Sequence, residues 1–299
     1  MRYAFSSGLL RAQDPRRHSN MKHNLSGSLV LFLSIASCGG SGSSSTAGTQ
    51  TGQLRLLATD APFDHSIVEE ARVSLDRITA HVTDSGFVTL YEGSPFEVDL
   101  AALRNGITHI LATDDIPTGT YTQFRFRLTD AYLRLVNGNE YSTADGTIRL
   151  TSQATSGYKV FLDPGVEVTA DGSEEVLLDF DLTKTFKPTP ANDPLTANSY
   201  KLHPNVRAAV MSESGEMRGN VTLNEIPLPD AVIYVLEPGS DEVTSSIAAT
   251  ATDSSGAAAI LGLSPGSYDV KVVHGSQEGI VQGVLVPVKG VANFDLDLD

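Results

Sequence analysis

The run Gln123-Phe124-Arg125-Phe126-Arg127-Leu128 alternates polar and apolar residues one by one, and no other feature restricts the fold of this chain as tightly. A period of two sends successive side chains to opposite faces of a strand. Phe124, Phe126 and Leu128 therefore belong to a buried face, and Gln123, Arg125 and Arg127 to a wet one. Val73 and Leu75 alternate in the same way, and Ile78, Ala80 and Val82 resume one residue out of phase, which predicts a bulge near Asp76–Arg77. Further strands are predicted at 54–58, 86–91, 147–151, 158–162, 175–182 and 199–203. Asn137-Gly138, Asp145-Gly146 and Asp171-Gly172 supply turn signals between them. Only Leu100–Leu103 and Thr108–Leu111 suggest short helical turns. The spacing predicts a β-sandwich or open barrel over residues 53–212.

Composition shifts after Ser212-Glu213-Ser214-Gly215-Glu216, which marks a hinge. Over residues 216–299 the pattern predicts seven short strands, at 217–223, 231–236, 243–250, 257–261, 267–273, 279–286 and 291–298. Seven strands in 84 residues imply a small sandwich. Asp253 to Gly256 reads as a tight hairpin with Gly at a positive-φ position. Tyr268, Val270 and Val272 fill one face, and Leu296 and Leu298 point inward opposite Asp295, Asp297 and Asp299. The fold class is thus all-β, with two β-sandwich domains.

The N-terminus is of another kind. Residues 29–36, Leu-Val-Leu-Phe-Leu-Ser-Ile-Ala, are far short of the roughly 20 apolar residues of a membrane span. They fit the core of a signal peptide, with Lys22 as its positive flank. Ile35-Ala36-Ser37-Cys38-Gly39 resembles the bacterial lipoprotein cleavage box, an aliphatic residue and two small ones before an obligatory Cys. The resemblance implies that residues 1–37 are removed and that the Cys38 sulfur carries a diacylglyceryl group as a thioether. Met21 begins a compact signal by itself, so residues 1–20 are expected to be a start-site artefact. Gly39 differs from the Asp of an inner-membrane retention signal, so an outer membrane is favoured. Residues 39–52, GGSGSSSTAGTQTG, hold nothing large enough to pack and read as a flexible tether with a reach of about 20 Å.

Charge narrows the partners. The full chain carries -15; loss of residues 1–37 removes five basic side chains and one acidic one, leaving 16 basic, 35 acidic and a net of -19. Such a surface repels phosphate backbones, so nucleic acid is an unsuitable partner. It also repels anionic membrane, so attachment falls to the lipid at Cys38. As the chain's single cysteine, Cys38 has no partner for an internal disulfide.

Family resemblances follow from particular residues. Thr59-Asp60-Ala61-Pro62, Val98-Asp99-Leu100 with Leu103-Arg104-Asn105-Gly106, Ile116-Pro117-Thr118-Gly119-Thr120-Tyr121, Leu178-Asp179-Phe180-Asp181 and Tyr200-Lys201-Leu202-His203-Pro204-Asn205-Val206-Arg207 resemble a family of bacterial lipoprotein domains of unknown function. This implies a location and a β fold and no chemistry. Gly219-Asn220-Val221, Pro229-Asp230-Ala231-Val232, Thr252-Asp253-Ser254-Ser255-Gly256 and Gly262-Leu263-Ser264-Pro265-Gly266-Ser267-Tyr268 resemble the carboxypeptidase-regulatory, transthyretin-like module. That resemblance implies a prealbumin-type sandwich with a spacer or adhesion role, without peptidase activity or a zinc site. Ala257-Ala258-Ala259 departs from it where a bulkier residue is usual, and predicts looser packing under the hairpin.

Asp60, Asp64 and Asp99 are the candidate ligand or cation residues, through oxygen ligation. The structural alternative, Asp60 capping a turn stiffened by Pro62, is the preferred reading. The terminal Asp row reads as a solvated face before a cation site. Gly262-Leu263-Ser264-Pro265-Gly266 matches a nucleophile elbow literally, but Pro265 has no N–H for an oxyanion hole. His65, His81, His109, His203 and His274 are not spaced as metal pairs, and His203 before Pro204 reads as a strand end. Asn220-Val221-Thr222 is a glycosylation sequon only in a eukaryotic secretory setting, and the absence of Trp weighs against a sugar-stacking platform. The expectation is a non-enzymatic, membrane-anchored envelope lipoprotein without cofactor or metal, binding a protein, glycan or envelope component. The rivals are a calcium-dependent adhesion module and a hydrolase using dispersed Asp, Glu and His.

Overall fold

A computed structural model describes residues 49–61, 67–152, 156–190 and 193–299, which form one compact unit. It is all-β and holds two hydrophobic cores, one drawn from Leu54 to Val210 and the other from Met217 to Leu298. No helix among the described residues is long and apolar enough to cross a membrane.

Around the first core, β1 (Thr51–Ala61) lies between β4 (His109–Pro117), antiparallel to it, and β9 (Ser173–Asp181), parallel to it; β12 (Val206–Val210) completes this four-stranded sheet. The facing five-stranded sheet runs β3 (Gly86–Asp99), β2 (Val68–Val82), β5 (Gly119–Leu135), with β6 (Glu140–Ser142) and β8 (Tyr158–Val168) both pairing with β5. Phe126 from one sheet meets Phe180 from the other edge-on, with ring centroids 6.5 Å apart. Of the two architectures left open by the spacing, the chain adopts the sandwich. A small third sheet, β10 (Phe186–Thr189), β11 (Ser199–Leu202) and β7 (Ile148–Leu150), sets Tyr200 against Tyr141 at 4.8 Å.

The alternation in β5 puts Phe124, Phe126 and Leu128 in the core and leaves Arg125 and Arg127 half-exposed, while Gln123, on the same outer face as the arginines, is itself covered to 8% exposure. Full burial of such an aromatic side chain contributes about 1.5–3 kcal/mol. The register between β2 and both its neighbours slips between Leu75 and Arg77, the position of the expected bulge. Leu100–Leu103 is a 3-10 turn capped by Asp99. Thr108–Leu111 is not helical: His109 and Ile110 open β4 and pair with Ala58 and Leu57, where β1 is itself bulged. Ladder bonds to β1 prevail over the weak local preference of four residues.

Around the second core, β13 (Gly215–Leu223) is central, between β20 (Val291–Leu298) and β17 (Ala257–Leu263), with the two-residue β14 (Ile226–Pro227) at its end. The facing sheet runs β16 (Ala248–Ala251), β15 (Val232–Leu236), β18 (Gly266–His274), β19 (Gln277–Val286). The predicted strand 243–250 is confined to β16, because Val243–Ser245 form a 3-10 turn in which the Ser245 hydroxyl bonds the Glu242 carbonyl at 2.8 Å. Asp253 Oδ1 accepts from the Ser255 and Ala257 amides at 2.8 and 3.1 Å, and Gly256 sits at φ 77°, so the hairpin closes as its residues require.

The expected hinge is a tight, bonded turn. Ser214 is buried and its hydroxyl donates to the Val210 carbonyl at 2.6 Å; Ser212 Oγ donates to Glu174 at 2.7 Å; Gly215 already opens β13. Every one of these small polar residues has a bonding partner, which removes the looseness their composition suggested.

Candidate functional site

Cys38 and Asp64 lie outside the described residues, as does the side chain of Asp60, whose backbone pairs with Phe180 in β1. Asp99 accepts from the Ala101 amide at 3.1 Å, a capping bond. Asp295 accepts from Asn220 at 3.0 Å, and Asp297 from the Glu225 amide at 3.0 Å and from the Thr222 hydroxyl at 2.5 Å, so the terminal Asp row is bonded along its own sheet. Among the described residues no three His, Cys, Asp or Glu side chains gather as a metal site. Ser264 belongs to the β17–β18 turn, where its carbonyl accepts from the Tyr268 hydroxyl at 2.7 Å.

Chemistry gathers instead on the wet face of the five-stranded sheet. The register places Phe87, His81, Gln123 and Phe161 in one row across β3, β2, β5 and β8. The next row is Thr89, Thr79, Arg125 and Lys159, and the one after it brings Glu92, Arg77 and Arg127 together. Between these rows a cleft of about 230 Å³ is lined by Arg77, Thr79, Phe87, Arg125, Arg127, Ser156 and Gly157. Gly157, at φ 85°, lets its turn lie close against β5: a Cβ there would stand 3.2 Å from the Cβ of Arg125.

The cations differ in how they are compensated. Arg127 Nε and Nη2 donate to the two oxygens of Asp76 at 2.7 and 2.8 Å, a bidentate pair. The bond from Arg127 holds the Asp76 carboxyl below its usual value, against a smaller opposing effect of burial. Arg77 Nε is 3.7 Å from Glu92, an ion pair without a hydrogen bond. Arg125 has no carboxylate within ion-pair distance among the described residues; its guanidinium carbon lies 4.0 Å above the Phe87 ring, and its Nε has no hydrogen-bond partner. Phe87 is itself held edge-on by His81 at 4.9 Å and remains 44% exposed. Lys159, across the ladder from Arg125, is exposed, and Phe161 beside it is 68% exposed.

The result is a positive, aromatic-floored concavity on a chain whose net charge is -15. Planar guanidinium groups match carboxylate, phosphate and sulfate oxygens in pairs, and an uncompensated one is the stronger attractor. Sequence reasoning put Arg125 and Arg127 on the wet face of their strand but did not single them out. The signal was present in two basic residues at i and i+2 of an acidic chain. Arg77, Phe87 and Lys159 join them only through long-range pairing.

An all-β sandwich with an arginine-lined cleft on one sheet face is what fold and site define. The model of a domain of unknown function, DUF4382, matches residues 51–204, and the chain belongs to that family. No curated protein matches it. Among solved structures it is similar to the Bacillus anthracis TIE protein (11% identity, TM-score 0.24), covering 83% of this chain and 34% of that one, so it spans about a third of that protein's length. It is also similar to GBS52, the minor pilin of Streptococcus agalactiae (12% identity, TM-score 0.22), over 82% of this chain and 94% of that one. A third is BcpA, the major pilin subunit of Bacillus cereus (7% identity, TM-score 0.22), over 84% of this chain and 70% of that one.

Proposed function

We propose that the chain is a non-enzymatic cell-envelope lipoprotein, held by lipid at Cys38, whose first sandwich binds an anionic group of an envelope component. The second sandwich, a transthyretin-like module by its sequence, serves as the spacer that carries it. The observation behind the binding role is Arg125, a guanidinium with no carboxylate partner among the described residues, poised over an exposed aromatic ring in a cleft. The acidic body keeps polyanions at a distance, whereas a single carboxylate or phosphate group in the cleft meets only the local positive field.

Calorimetric titration of residues 49–299 with inorganic phosphate and with monomeric galacturonate tests this. Saturable binding is expected, weakening with salt, and Arg125→Ala should reduce affinity roughly 10- to 100-fold, the loss of about 1.5–3 kcal/mol for a charge-assisted bond. Equal binding by Arg125→Ala, or none by the native chain, would contradict the assignment. Anchoring is tested separately: Cys38→Ala should abolish incorporation of labelled palmitate and leave the protein in the soluble fraction, and persistent membrane association would remove the lipid from the account.

A further inference from the structure

We propose that the bend between β19 and β20, carrying Leu285, Val288 and Val291, rests on the lipid surface at the end of the molecule where the N-terminal tether enters. The contact presupposes lipid at Cys38. Its occupant follows from where the chain comes in and from what the bend exposes.

β1 starts at Thr51, whose carbonyl accepts from the Asp171 amide at 3.0 Å, so the tether enters beside the turn that precedes β9. Two strand spacings away, about 10 Å, β12 finishes at the same end of the sheet, where Val210 pairs with Val176 and Ser212 bonds Glu174. The chain turns there into β13, and the Lys289 amide donates to the Ser214 carbonyl at 2.8 Å. The approach needs glycine at 215, because a Cβ would run into the Pro287 carbonyl. The bend of the second sandwich therefore sits beside the tether's entry, within the tether's reach of about 20 Å.

Single exposed apolar residues are ordinary on a protein surface, and a cluster of them is not. Leu285 is 70% exposed, Val288 59% and Val291 44%, and Pro287 between them is exposed as well. Turns such as Asn137-Gly138, Asp145-Gly146 and Asp171-Gly172 are polar, whereas this one reads Val286-Pro287-Val288-Lys289-Gly290-Val291. At a bilayer surface the apolar side chains enter the acyl boundary while Lys289 stays among the head groups. Asp171 and Glu213, exposed at the same end, favour a zwitterionic surface over an anionic one. Three side chains hold a free protein to a bilayer only weakly. On a short tether the bend meets the surface at an effective concentration of about millimolar, so the lipid fixes the place and the bend fixes the orientation.

The chain lacks tryptophan, so a single one reports its own surroundings. Residues 38–299 carrying Val288→Trp, coupled through Cys38 to a maleimide lipid in phosphatidylcholine vesicles, should show blue-shifted emission and quenching by brominated acyl chains. β5 starts beside the tether, where the Thr118 amide donates to the Gln50 carbonyl at 3.0 Å, and Val136 follows its far end, so Val136→Trp should show neither. Adding Leu285→Asp and Val291→Asp should abolish the shift at 288; should that variant not fold, Leu285→Ser alone is expected to reduce it. No shift at 288, an equal shift at 136, or a shift indifferent to the polar substitutions would overturn the proposal. The coupling supplies the lipid chemically, so these outcomes stand apart from acylation of Cys38 in the cell, which palmitate labelling decides by itself.

Discussion

Asp76 shows how one residue serves the site without facing a ligand. Its two oxygens take up the fork of Arg127, while Arg125 beside it in the cleft has no carboxylate partner among the described residues. Because its folded carboxyl titrates below the unfolded value, the unfolded chain binds more protons on acidification. The contribution of Asp76 is therefore present above the ordinary carboxylate range and lost as pH falls through the lowered folded value. Asp253 and Asp297, held down chiefly by bonds from Ser255 and Thr222, act in the same direction. Thermal melts should show a midpoint that falls steadily with acidification, and Asp76→Asn should flatten part of that slope; an unchanged slope would separate Asp76 from acid stability. Tyr200 behaves oppositely. Burial raises its phenol to about 12, so its contribution is complete below pH 10 and lost as pH climbs toward 12. Tyr200→Phe, which also removes the 2.6 Å bond to the Pro194 carbonyl, should lower the midpoint near neutrality and flatten the alkaline limb.

At the scale of the strand, period-two patterning was legible wherever one face is buried and the other wet. β5 and the bulge of β2 at Leu75–Arg77 both followed from it. β4 was not legible, because its burial follows a bulged partner and loses the alternation. Nor was the 3-10 turn at Val243–Ser245, where serine hydroxyls compete with the ladder. Half of the cleft could be read from the outward arginines of β5. The other half needs the pairing of β2, β3 and β8 with it, which depends on contacts distant in sequence. The bonds between the two sandwiches were hidden for the same reason: Asn105 and Arg207 bond the backbone of Ala259 and Gly262, 154 and 55 positions away. Phe124 is the element's anchor, fully buried between the sheets. Phe124→Ala should cost about 3–5 kcal/mol in denaturant unfolding, and a cost below 1 kcal/mol would mean that the core closes without it.

For the whole molecule, two cores are joined by a bonded turn and by side-chain bonds such as Asn105 to Ala259 and Arg207 to Leu261. The cleft on the five-stranded sheet is lined by three arginines in a chain of net charge -15. Backbone-amide NMR of residues 49–299 during titration with phosphate resolves the question residue by residue. The largest shifts should fall at Arg77–Thr79, Phe87, Arg125–Arg127 and Gly157–Lys159, and should vanish in Arg125→Ala. Shifts scattered over unrelated lysines and arginines, or concentrated on the second sandwich, would contradict an anion site on the first.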